Sequence, residues 1–330
     1  MHCIEQSWIA RASRLLLAGM TAFAMAPAHA APYPEKPLTL VVPYPAGGGL
    51  DVLGRLMAEG MSRELNVPVV VENRTGAGGT IGVSYVARSK PDGYTLLIAS
   101  PAAISIAPSL YNKLPYQPLR DLAPVAMMSQ MPSLLVTNRS APFSSVRELA
   151  EYGKANPGKL NYGSGGPGSS LHLSGAMFAQ MAGFDATHIP YQGSAPAIVD
   201  LIGGQLDFMV VDTTAIPHVE SGQLKLLAIT NPERSAQLPD TPTIAEAGVP
   251  GYETINWYGL FLPAKTSPEI VQALNQVIQK VLADPATQRR FKTLRADLPP
   301  ALDSEAFTEF VRADTRKWDA LVKSLNLSLD

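Results

Sequence analysis

The sequence predicts an α/β protein of two Rossmann-like lobes, each a wound sheet, with a ligand cleft between them. Three observations predict it. Short β-branched runs alternate with stretches of helical spacing from residue 38 onward, the signature of βαβ units. A second such series opens near residue 132, after the first has closed. The chemically unusual stretches, rich in Gly, Ser and Asp, fall at the carboxyl ends of the expected strands, where open α/β sheets hold ligands.

The elements follow in order. "LTLVVP" (38–43) is a continuous apolar run, as in a buried parallel strand. "DVLGRLMAEGMSREL" (51–65) sets Val52, Leu53, Leu56, Met57, Met61 and Leu65 at helical spacing. "VPVVVEN" (67–73) is a strand, "GTIGVSYVARS" (79–89) a helix ended by Pro91-Asp92-Gly93, and "YTLLIAS" (94–100) a third strand. The order β-α-β-α-β implies parallel strands with right-handed crossovers. The second unit opens with the strand "SLLVTN" (133–138) and a helix over 144–156, where Ser144 or Ser145 and Glu148 form a capping box. Strands over 160–164, 187–193, 206–212 and 224–230 alternate with helices over 171–183 and 195–202. "WYGLFLPA" (257–264) is a further strand. Helices over 267–284, with Pro268 in the first turn, and 304–325 end the chain. Extended segments around 126–136 and 252–260 join the lobes. The expected division is 31–131 with 256–330 in one lobe and 132–255 in the other.

Residues 1–30 read as a leader. Arg11 and Arg14 precede the apolar run Leu15–Met20, and the segment closes in Ala28-His29-Ala30, an A-x-A cleavage site. The sequence therefore predicts export to the periplasm with cleavage after Ala30. The single cysteine, Cys3, leaves with the leader, so the mature chain has neither disulfide nor thiol nucleophile. The net charge is −2, and losing Arg11, Arg14 and Glu5 makes it slightly more acidic. Such a balance argues against nucleic acid or an anionic membrane as a partner.

"VVPYPAGGGLD" (41–51) places three glycines at a strand exit with no cation before Arg55. A phosphate loop would read G-x-x-x-x-G-K-[ST], so these glycines present backbone amides to something that needs no lysine. In "GSGGPGSS" (163–170), Gly163, Gly165 and Gly168 satisfy G-x-G-x-x-G formally. The acid about 20 residues on, which dinucleotide binding requires at the next strand's end, is Asp185, and it precedes that strand. An anion cup at a helix N-terminus, with the Ser164, Ser169 and Ser170 hydroxyls as donors, is the better reading. Plain turn glycines are the rival. "GAGG" (76–79) reads as a plain turn. The mature histidines, His172, His188 and His218, form no metal motif, so no metal or cofactor is expected. G-x-S-x-G is absent, and Ser164 or Ser169 with His172 is the nearest approach to a secreted serine hydrolase. His172 itself is expected to be packed or capped. Asp212 either caps the following helix or faces the cleft to accept a ligand's N–H or O–H. Asp51 is expected to be tied into the first turn of its own helix.

From Tyr33 to about Leu325 the chain resembles the extracytoplasmic solute-binding receptors of tripartite tricarboxylate transporters, the Bug family. The resemblance is carried by "YPEKPLTLVVPYPAGGGLD", "VVVENRTGAGGTIG", "LNYGSGGPGSSLHLSGAMF", "PYQGSAPAIVDLIGGQLDFM", "RSAQLPDTPTIAEAG" and "WYGLFLPA". It implies a periplasmic binding protein fold of type II with a hinged cleft, a small organic solute, often a carboxylate, and membrane permease subunits as partners. It implies no covalent chemistry, and the chain is expected to act as a monomer. In this family the proximal carboxylate is held by backbone amides and water. Ala46, Gly47, Gly48 and Gly49 would then offer amides from one lobe, and Ser164, Gly168, Ser169 and Ser170 donors from the other. Tyr44, Tyr191 and Trp257 are the candidate aromatic walls, with core packing the rival for each. The chain departs from its relatives at "ASPAAIS" (99–105), where Pro101, Ala102 and Ala103 supply no polar group. The distal half of the ligand site is therefore less polar, or Ser100 and Ser105 serve it. A monocarboxylate or an aromatic or longer-chain acid fits as well as citrate, glutamate or aspartate. A receptor that signals to a membrane kinase would close in the same way.

Overall fold

The computed structural model describes residues 33–329, so the leader lies outside the described residues. Ten strands divide between two five-stranded sheets. The first half runs β1 (Leu38–Val42), α1 (Gly49–Leu65), β2 (Val69–Asn73), α2 (Thr80–Ala87) and β3 (Thr95–Ala99). A π-helical turn (Ala102–Ile106) leads into α3 (Ala107–Leu110), followed by α4 (Pro118–Asp121) and β4 (Leu122–Met131). The chain then enters the second sheet through β5 (Leu134–Asn138), α5 (Val146–Ala155), β6 (Leu160–Ser164), α6 (Ser170–Ala182), β7 (Ala186–Pro190), α7 (Ser194–Ile202), β8 (Phe208–Val211), α8 (Ile216–Glu220) and β9 (Leu224–Ile229). It returns through β10 (Asn256–Pro263) to α9 (Pro268–Ala283), α10 (Pro285–Thr293) and α11 (Ser304–Ser324).

The first sheet has the order β2-β1-β3-β10-β4 and the second β7-β6-β8-β5-β9. Parallel pairing holds for β2-β1-β3 and for β7-β6-β8, as the alternation predicts. It fails at β10, antiparallel to β3 and β4, and at β5, antiparallel to β8 and β9. The reason is topological. Each of these strands is reached from the other sheet, so no crossover helix dictates its direction. β4 was missed as a strand because Pro124 interrupts its run and its polar end, Ser129-Gln130, blurs the pattern.

The two passages between sheets lie side by side. Thr230 N–H donates to Ser133 O (2.9 Å), Thr254 N–H to Thr230 O (2.9 Å), and Thr230 Oγ1 to Thr254 O (2.9 Å). Each sheet has its own core, one including Val41, Leu97, Phe261, Phe307 and Val311, the other Leu135, Tyr162, Phe178, Phe208 and Tyr252. A further cluster joins Ile106 and Leu110 to Leu173 through Trp318, Leu321 and Val322 of α11. At α5 the capping box forms as expected. Ser145 Oγ accepts from Glu148 N–H (3.2 Å), and Glu148 Oε2 from Ser144 N–H (2.7 Å). Among the described residues no helix is long and apolar enough to cross a membrane.

Candidate ligand-binding site

A cavity of about 700 Å³ opens at the carboxyl ends of β1, β3, β6, β7 and β8 and at the amino end of β10. Four helices begin at its wall. Gly48 and Gly49 open α1, Gly78 and Thr80 flank the start of α2, Ser169 and Ser170 open α6, and Gly193 and Ser194 open α7. Among the described residues no side chain caps α1, α2 or α7. The first N–H groups of a helix lack intrahelical partners, and the aligned peptides give that end a partial positive charge. Among the described residues no Lys or Arg lines the cavity, and Asp212 is its one carboxylate. Ala102, Ala107, Leu110, Met131, Pro167 and Leu171 supply an apolar part of the wall. Of "ASPAAIS", Ser100 and Ala102 line the cavity.

The glycine loop after β1 is braced from behind. Asp51 is almost fully buried, and its Oδ2 accepts from Gly47 N–H (2.9 Å) and Arg55 Nε (2.9 Å). Its Oδ1 accepts from Asn73 Nδ2 (2.8 Å), which also donates to Tyr44 O (3.0 Å). The Arg55 guanidinium, with the Gly47 amide and Asn73, holds the Asp51 carboxyl down at about 2 despite its burial. Gly47, at φ +83°, turns its amide onto Asp51, so neither Gly47 nor Ala46 lines the cavity. Gly48, Gly49 and Leu50 line it instead.

Tyr44 reaches the wall and fixes the neighbouring turn. Its hydroxyl donates to Gly78 O (3.2 Å) and lies 3.2 Å from Ser100 Oγ, and burial raises its pKa. "GAGG" is more than a plain turn. Gly79 has φ +97°, and a Cβ there would lie 3.2 Å from the Tyr44 ring, so glycine is what allows the contact that seats Gly78 and Thr80 at the cavity. Ser100 lines the wall, whereas Ser105 is fully buried away from it.

On the second sheet Gly168, Ser169 and Ser170 line the cavity, but several expected donors are already engaged. Gly168 N–H donates to His172 Nδ1 (3.1 Å). Ser169 Oγ donates to Gly166 O (2.9 Å) and accepts from His172 N–H (3.2 Å). Ser164 is fully buried, 2.7 Å from His188 Nε2, and accepts from Gly166 N–H (3.2 Å). It supports the cup from beneath and does not line it. His172 and His188 stack at 3.7 Å, and burial pushes both pKa values down to about 4. Asp212 caps the following turn and also lies at the cavity wall. Its Oδ1 accepts from Thr214 N–H (3.0 Å) and from the Thr214 hydroxyl, its Oδ2 lies 3.4 Å from Ser194 Oγ, and the residue lines the cavity.

Two aromatic walls fall elsewhere. Tyr191 donates its hydroxyl to Asp200 Oδ2 (2.6 Å) and packs beside α7, and the Asp200 carboxylate raises its pKa to about 12. Trp257 is completely buried, its Nε1 donating to Asp314 Oδ2 (2.9 Å) with the Phe307 and Phe310 rings edge-on. Successive strand residues face opposite sides, so its neighbours Asn256 and Tyr258 reach the cavity in its place. Their signal was available in the strand's alternation, but which phase faces inward is decided by α11. Ser194, Thr213 and Thr214 lie in strand-end stretches that the sequence marks as unusual but were not chosen as ligand groups, and Tyr111 was missed. Among the described residues no three His, Cys, Asp or Glu side chains cluster closely enough to hold a metal ion.

Two α/β lobes enclosing a cavity of helix N-termini without a cation define the class of two-lobed solute-binding proteins. Within it, residues 53–327 match the tripartite tricarboxylate transporter family receptor, and the chain belongs to that family. It is 36% identical over 311 residues to protein BugT of Bordetella pertussis, covering 94% of this chain and 95% of BugT. A Rhodopseudomonas palustris protein solved with adipate superposes with a TM-score of 0.78 at 34% identity, covering 90% of this chain and 100% of that one. MatC of the same organism, solved with bound malate, gives a TM-score of 0.74 at 33% identity over 88% of this chain and 100% of that one.

Proposed function

We propose that the protein captures a small carboxylate between its lobes in the periplasm and presents it to the membrane subunits of a tripartite transporter. The observation that carries this is the cation-free cavity with four helix N-termini at its wall. A helix N-terminus carries roughly half a positive charge, worth up to ~2 kcal/mol to an anion when partly buried. Several acting together can hold a carboxylate without a lysine, with waters bridging amides too distant for direct contact. Similar proteins hold adipate and malate, both carboxylates.

The ligand groups are those that line the cavity: Tyr44, Gly48, Gly49 and Ser100 on one side, Gly168, Ser169, Ser170 and Asp212 on the other. Asp212 would repel a second carboxylate placed beside it, so the ligand's far end is apolar or bears a hydroxyl or amine. The lobes are residues 31–131 with 256–330, and 132–255, after removal of the leader. The paired crossings at Ser133, Thr230 and Thr254 are the hinge. A solute that touches both lobes favours the closed state by its extra contacts there. The protein acts as a monomer and performs no covalent chemistry. Ser164 and His188, the closest approach to a nucleophile and base, are enclosed beneath the cup.

The test is thermal unfolding of residues 31–330, refolded once to remove carried solute, against carboxylates, amino acids and neutral solutes. A ligand at 100 times its dissociation constant stabilises by about 2.7 kcal/mol, a shift of roughly 5–10 °C for one lobe-sized cooperative unit. Shifts confined to carboxylates support the reading. Shifts from neutral solutes alone overturn it.

A further inference from the structure

A second concavity, of about 930 Å³, runs along α2 and shares Thr80 with the cleft. Lys36, Arg74, Arg88 and Lys90 line it against a single carboxylate, Asp92, which accepts from Tyr94 N–H (3.1 Å). In a chain of net charge −2 this is a local concentration of positive charge. It is also aromatic. The Arg74 guanidinium lies 3.5 Å over the Tyr85 ring, and Lys36 Nζ lies 4.2 Å from the centre of Tyr94. Tyr85 and Ile81 are exposed, Ile81 by 54%. Arg74 gives one guanidinium nitrogen to Glu72 (2.7 Å), and its Nε is buried without a hydrogen-bond partner among the described residues.

We propose that this groove docks an extended acidic segment of the protein's membrane partner, with carboxylates toward Arg74, Arg88 and Lys90 and an apolar residue against Ile81 and Tyr85. The shape decides among anionic occupants. Ile81 lies in the first turn of α2, whose eight residues span about 12 Å, and Lys90 three residues past its end. The cations come from separate segments, Arg74 over Tyr85, Lys36 against Tyr94, and Arg88 and Lys90 past the helix end, and a flat bilayer cannot enter a concavity. An extended strand rises about 3.3 Å per residue, so about four residues follow the groove. Thr80 lines both this groove and the ligand cavity. A partner seated here rests on the helix whose N-terminus faces the solute, so it can distinguish loaded from empty receptor. The partner's identity as a transporter subunit rests on the function proposed above.

The experiment measures binding of a fluorescent peptide, Glu-Leu-Glu-Glu-Leu-Glu, to the mature protein by anisotropy, with Gln-Leu-Gln-Gln-Leu-Gln as the neutral control. Inorganic phosphate and phosphatidylglycerol vesicles are the other arms. The expected result is saturable, salt-sensitive binding of the acidic peptide alone, weakened about tenfold or more by Arg88→Glu with Lys90→Glu. Arg74→Gln should weaken it less. Equal binding of the Gln peptide, or binding unchanged in the charge-reversed variant, overturns the proposal. So does capture by vesicles or by phosphate in preference to the peptide. The solute-induced thermal shift, measured on the same variants, should stay at the wild-type value. Its survival shows an intact fold, and its absence from the wild type would fail the solute reading separately from the docking one.

Discussion

Asp51→Asn should loosen the glycine loop without touching a ligand directly. The substitution keeps the shape of the side chain but replaces one acceptor oxygen by a donor. Three donors converge on Asp51: the Gly47 amide, Arg55 Nε and Asn73 Nδ2. Asn73 cannot turn over to accommodate the change, because its Nδ2 also donates to Tyr44 O and its Oδ1 accepts from Arg55 (3.0 Å). Either orientation of the new amide therefore sets donor against donor. The magnitude follows from the carboxyl's pKa, lowered from 3.8 to about 2. That difference corresponds to about 2 kcal/mol of stability at neutral pH, at 1.36 kcal/mol per pH unit. A depressed acid stabilises the fold above its unfolded pKa and loses that contribution as pH falls through the folded one. The stability gap between wild type and variant should thus be full at pH 5, about half as large near pH 3, and gone below pH 2. Urea unfolding from pH 7 to 3 measures the gap, and calorimetric titration with the carboxylate found by the thermal panel measures the loop's contribution. Binding should weaken by about tenfold, or 1.4 kcal/mol, because Tyr44 and Gly48 lose their brace. A variant within 0.5 kcal/mol of wild type at pH 7, an order-of-magnitude threshold for a surface change, with unaltered affinity would refute the reasoning.

Three further outcomes follow from the same geometry. Gly168→Ala adds a Cβ at φ +73° within 2.6 Å of Leu329 Cδ1 and 2.7 Å of Leu110 Cδ1; it should cost about 1–3 kcal/mol and weaken solute binding, read by chemical unfolding and titration. Trp257→Phe removes the Nε1–Asp314 bond from a closed core; a loss of about 2–4 kcal/mol with unchanged solute affinity is expected, and an affinity loss would return Trp257 to the cavity wall. His172 and His188 are neutral in the folded protein, with pKa values near 4. Stability is complete above the unfolded value of 6.5 and falls as pH drops toward 4, by roughly 3 kcal/mol for a ring kept neutral throughout. Replacing both by Gln should flatten thermal stability over that interval.

The sequence by itself determined the alternation of strands and helices, the two-sheet division and the places where the cavity-lining loops emerge. Those follow from periodicity, capping residues and glycine clusters, all of which act over a few neighbouring residues. The Ser145–Glu148 box and the parallel cores of both sheets are legible in that way. Direction was not legible at β5 and β10, because a strand entering from another sheet carries no crossover to orient it. Nor was the fate of individual donors. Gly47 and Gly168 look like free amides in sequence, yet Asp51 and His172 engage them from the next helical turn, and Ser164 turns to His188 on a neighbouring strand. Trp257 and Tyr258 are adjacent and equally aromatic. Packing of β10 against Phe307 and Asp314 of α11, fifty residues later in the chain, puts the tryptophan in the core and leaves the tyrosine to the cavity. Local pattern sets what each segment becomes, and only tertiary packing sets which of its groups remain for a ligand, because a donor or a face is available only when no distant partner has taken it.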